Sequence, residues 1–291
     1  MVQGESVLGG VFVELNNSIV MLISSFAGGM LAAIIGALPA LILSGLFIVI
    51  GVVITLAGGP ADFLNIVGLG PFFGPHISWA AGLAATAYAG RKGLIDNNAI
   101  TTPLIGLQSV PVILVGGLFG TGAYLVNEIL TRFIGAYSIP IAVTVFLSCL
   151  VTRIFFSRTK FFGKLERFEQ ILPKKETLLF YIIISLFFGF LSGLLSLKTG
   201  SPLIGFGLAL FALIYLQAGQ TNFPILHNVA IISGMVAVFT SNLYLAALFG
   251  VITMFFQEIL ANLLMSEADT FWDTWATSIA IMSFIVIPLF A

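Results

Sequence analysis

The chain has two histidines, and each stands beside a cluster of helix breakers within an apolar stretch. His76 closes the run Gly68-Leu69-Gly70-Pro71-Phe72-Phe73-Gly74-Pro75-His76, and His227 follows shortly after Gly219-Gln220-Thr221-Asn222-Phe223-Pro224. Proline removes a backbone donor and clashes with the preceding turn, so neither run continues a regular helix. An imidazole beside free N–H groups at a helix start could hydrogen-bond a small solute, help hold an anion or carry a proton. The plainer alternative is that each histidine satisfies neighbouring carbonyls in a packed interior. On the first view residues 68–78 and 219–229 line one pathway. Phe72, Phe73 and Phe223 are then its apolar walls, and Pro75, His76, Ser78, Thr221, Asn222, His227 and Asn228 the rest of its lining.

Four carboxylates form a second candidate set. Glu128 and Glu258 occupy matching places in the two halves and could coordinate a cation or relay a proton. Arg132, four residues after Glu128, has the spacing of a helical ion pair. Asp269 and Asp273, also four apart, would share a helical face and could hold a hard cation. The simpler reading makes Thr270 or Asp273 the cap of the last helix, with Trp272 and Trp275 anchoring it at the membrane interface. Asp62, after Gly58-Gly59-Pro60, also reads as a cap. The histidine and carboxylate set is too dispersed to specify a metal, and no cofactor is implied. Cys149 lies in an apolar run and reads as an inert buried thiol.

These residues need elements to position them, and composition says where those elements sit. Of 291 residues, 59% are hydrophobic and 8% charged, against roughly 25% charged in a soluble domain. Such a surface suits lipid and not water, so the partners expected are the bilayer and a small solute or ion. A net charge of −1 gives no case for nucleic acid. The fold class is all-α, a polytopic transmembrane bundle of about ten spans. Residues 1–17 form an extracytoplasmic or interfacial lead, 18–156 a first repeat, 157–176 a cytoplasmic basic linker and 177–291 a second repeat. Arg91, Lys92 and the seven basic residues from Arg153 to Lys175 then share one side, leaving only Arg132 and Lys198 opposite. Cytoplasmic loops attract Lys and Arg, which places both termini outside. The expected location is a prokaryotic inner or plasma membrane.

The halves repeat each other. Leu118-Phe119-Gly120 with Glu128-Ile129-Leu130 recurs at identical spacing as Leu248-Phe249-Gly250 with Glu258-Ile259-Leu260. The stretches from Pro39 and Pro202 also correspond, as do those around His76 and His227. An odd number of spans per repeat inverts the second copy, and the broken third span of each would meet its partner near mid-membrane. This plan resembles the urea-transporter type of inverted-repeat protein, without a signature motif of that family. The resemblance implies a phenylalanine-walled slot and a homo-oligomer with one pathway per subunit. The residues thus point to a transporter or channel, with a cation, metal or proton carrier and an accessory membrane subunit as alternatives. No P-loop, nucleophile elbow or His-Glu-x-x-His zinc motif speaks for an enzyme.

Overall fold

The computed structural model describes residues 3–159, 175–265 and 268–291, with side chains from residue 17 onward except that of Lys175. The linker cations Lys160, Lys164, Arg167 and Lys174 lie outside the described residues, as does Glu267. The described chain is all-α. In the first half it runs through α1 (Gln3–Ile35), α2 (Ala37–Leu56), a π-helical turn (Phe63–Gly68), α3 (Pro75–Arg91), a 3-10 turn (Leu104–Leu107), α4 (Val110–Ile134) and α5 (Pro140–Phe156). The second half comprises α6 (Lys175–Thr199), α7 (Leu203–Phe211), the single turn α8 (Ile214–Gln217), α9 (His227–Thr240), α10 (Leu243–Met265) and α11 (Thr274–Phe290).

Proline sets several of these starts. Pro75, Pro111 and Pro140 occupy the first turns of α3, α4 and α5, where a missing N–H costs nothing. Gly36 separates α1 from α2 at φ +96°, with the Thr102 carbonyl where a side chain would be.

Among the described residues five helices are long and apolar enough to cross a membrane: Asn17–Ile35, Ala37–Leu56, Val110–Ile134, Glu176–Thr199 and Leu243–Met265. Ile23, Leu118, Phe187 and Leu248 point outward from four of them, as a bilayer solvent requires. α3 and α9 are sheltered instead, and nearly every residue of each is buried.

The packing has the same partners in both halves. α1 lies on α3 and α4, and α6 lies on α9 and α10; α3 contacts α5 as α9 contacts α11. α2 and α7 cross between the halves at paired glycines. A Cβ on Gly45 would lie 2.9 Å from the Gly207 carbonyl oxygen, and one on Gly207 would lie 3.0 Å from that of Gly45. Only small residues permit so close a crossing, and without a hydrophobic drive in lipid this contact is what joins helices.

One end of the bundle is closed by hydrogen bonds between the halves. Arg153, grouped by sequence with the loop cations, is buried at the end of α5. It donates to the carbonyls of Leu264 (2.7 Å) and Thr270 (2.8 Å), with its guanidinium 4.8 Å from the Trp272 ring centre. Asp269 accepts from Asn97 Nδ2, Ser157 Oγ, the Arg158 N–H and Thr159 Oγ1.

Candidate functional site

The two breaks fold differently. In the first, the π-helical turn lies back along α2. A Cβ on Gly51 would touch Leu64 Cα at 2.8 Å, and one on Gly68 would touch Ile48 Cα at 3.2 Å. The chain then turns at 69–74 beside the middle of α2. Phe73 is fully buried there, 5.8 Å from the rings of both Phe47 and Phe72. These phenylalanines therefore fill a packed core. Ser78 is buried and donates to the Gly74 carbonyl at 3.2 Å.

In the second break, Gly219, Thr221 and Asn222 are exposed. Phe223 stacks on Tyr215 with ring centres 5.0 Å apart. α9 begins at His227, and neither Thr221 nor Asn222 caps it.

Two cavities lie near the starts of α9 and α11. The central one, of about 290 Å³, takes its walls from α2, α3 and α5 of the first half and α7, α9 and α11 of the second. Leu69, Val145, Phe206, Leu210 and Ile231 make it largely apolar, Pro75 and Trp79 border it, and His227 and Asp273 face it. Its lining includes Ile139, Leu203 and Phe239, at the end of the bundle away from Arg153. The second cavity, of about 610 Å³, is bordered by Glu176, Thr221, Asn222, Phe223, Glu258 and Trp275. Gln257, also on its wall, donates to Thr274 Oγ1 at 3.4 Å. His227 and Asp273 border the central cavity, and Pro224, Ile225 and Trp275, close to them in the chain, border the second.

The starts of α9 and α11 are rich in buried polar groups. Asp273 caps α11 by accepting the Ala276 N–H at 2.7 Å, and its other oxygen accepts from Trp79 Nε1 at 2.6 Å. Asn228 donates to Ser278 Oγ at 3.1 Å, while its Oδ1 is buried without a partner. His227 packs edge-on to Phe206 at 6.0 Å, and its buried Nδ1 also lacks a partner.

The remaining candidates do not converge here. His76 is buried with an unpartnered Nδ1 and borders neither cavity. Glu128 and Arg132 are both exposed on α4. Asp269 and Asp273 lie on non-helical chain with separate partners, so they share no helical face. Trp272 is buried beneath Arg153 and is no interfacial anchor. Asp62 precedes the π-helical turn but its side chain caps nothing. Cys149 is free and buried. Among the described residues no three His, Cys, Asp or Glu side chains gather as a metal site would need. Sequence reasoning passed over Trp79 and Gln257; the one available signal was a polar-tipped residue within an apolar helix, which needs a partner when buried.

One family profile, described as a family of unknown function (DUF7973), matches residues 11–173 and again residues 158–291. The chain belongs to that family. The family's two matches divide the chain within the linker between α5 and α6. No curated protein and no solved structure matches the chain.

Proposed function

We propose that this protein is a membrane transporter that moves a small solute through the central cavity, between two five-helix repeats of inverted topology. The observation that carries the reading is the pair of cavities that both draw walls from the starts of α9 and α11 or the residues just before them. A carrier needs a site reachable from either face in turn, with a thin, movable partition. The duplication is supported by the shared packing partners of α1–α5 and α6–α11. The paired glycines of α2 and α7 fit a two-fold axis passing between them. Arg91, Lys92 and Arg158 stand at the end carrying the larger cavity, which makes that end cytoplasmic in this reading.

Flux into proteoliposomes tests it, with urea, simple anions, protons, divalent metals and small organic cations as cargoes. Uptake of at least one cargo, lost on filling the cavity by Ala142→Phe in a protein that still melts cooperatively, is the expected result. No flux of any cargo above empty vesicles would end the transport reading.

A further inference from the structure

We infer that the central cavity binds a small organic cation, an apolar body bearing one ammonium group, with Asp273 as its counter-charge. The inference rests on the transport reading only for what happens after binding.

Asp273 is 3% exposed and faces the cavity. Its hydrogen bonds come from uncharged N–H donors, the Ala276 and Trp275 backbone and the Trp79 indole. A carboxylate has about four lone-pair positions, so acceptor capacity remains. The α11 N-terminus supplies partial positive charge, but no Lys or Arg side chain bonds to the carboxylate among the described residues. A buried carboxylate in this position calls for a cation. His227 lines the same cavity, and its buried Nδ1 has no partner, so a small turn of the ring would offer a ligand N–H a second acceptor.

The walls narrow the choice. At about 290 Å³ the space equals roughly ten water volumes, and most of its surface is aliphatic or aromatic. A hydrated inorganic ion would shed its waters against groups that cannot replace them. Urea would leave most of its donors and acceptors unpaired against the same walls. An anion would face Asp273 directly. An alkyl or aryl ammonium instead buries its body against Leu210, Ile231 and Val145 and turns its head to the carboxylate. The aromatic residues Trp79 and Phe206 in the lining suit a cation as well.

The test uses three probes with one six-carbon body, hexylammonium, 1-hexanol and hexanoate, titrated into the intact solubilised protein. The ammonium is expected to bind at least about tenfold tighter than the alcohol, because its hydrogen bond is charge-assisted, with hexanoate weakest. Asp273→Asn keeps a capping side chain and should bring hexylammonium down to the affinity of hexanol. Equal binding of ammonium and alcohol by the unaltered protein overturns the inference, and that comparison needs no variant to fold. Hexylammonium bound but never taken up by vesicles would retain the site and remove transport. Flux of urea or an inorganic ion by a protein that does not bind hexylammonium would do the reverse.

Discussion

The segments before α3 and before α9 precede the two most sheltered helices, yet the first ends in a largely buried stretch, residues 68–74, while the second is mostly exposed. Residues 57–74 are long enough to include a π-helical turn that folds back along α2, and Gly70, Pro71, Phe73 and Gly74 are all buried. Residues 218–226 are half as long, and Gly219 to Asn222 face outward beside the larger cavity. The extra residues of the first break act as a plug. In the proposed transporter the two halves must differ in any one state, since both faces cannot be open together, and the exposed second break would mark the accessible side.

That contrast can be broken most directly by labelling. Thr221→Cys should react readily with a water-soluble maleimide, while Ser78→Cys and native Cys149, both buried, stay unmodified. Equal labelling of all three would mean the first break is as open as the second.

Glycine substitutions probe the same contrast through stability. A Cβ on Gly28 would run into the Phe72 carbonyl, so the plug and α1 could not both keep their places. Gly28→Ala should cost about 3 kcal/mol, read as a lower melting midpoint or lost expression. Gly219 has open space around it and only its φ of +93° to satisfy. Gly219→Ala should cost about 1 kcal/mol. Similar losses at both positions would erase the distinction.

The histidines sharpen it functionally. His227 borders the central cavity whereas His76 is enclosed in the first half. His227→Ala should slow flux about tenfold, the worth of one hydrogen bond of ordinary-to-strong size. His76→Ala should lower the melting midpoint and leave the flux of surviving protein near that of the native chain. The opposite pattern would move the pathway to the first break.

The smallest effect belongs to Asp269. Burial pushes its carboxyl up, but hydrogen bonds from Ser157, Arg158 and Thr159 outweigh this and hold it below the ordinary carboxylate value. A depressed pKa stabilises the fold above the ordinary value, and the contribution fades as pH falls through the folded one. Asp269→Asn should therefore melt slightly below the native chain at neutral pH, and the difference should shrink as pH falls through the folded value.

Much of the helix pattern was legible in the residues. The apolar runs, Gly36, and the prolines at 75, 111 and 140 carry their structural meaning locally, and so do the breakers at 68–75 and 219–224. The site was legible in part. His227, Pro75 and Asp273 border the central cavity, and Thr221, Asn222, Phe223 and Glu258 the other, while Phe73, His76 and Glu128 were placed by analogy between halves and went elsewhere. Analogy failed there because a local match cannot register a loop of different length.

What the sequence determined alone was the apolar helical character and the points where helices must stop, since hydrophobicity, missing donors and positive φ act within a few residues. Only tertiary structure decided that Asp273 meets Trp79 across the chain, that Arg153 is buried, and that one break is packed while its counterpart opens on a cavity. Those outcomes depend on which surfaces meet at van der Waals distance, and no spacing along the chain encodes that.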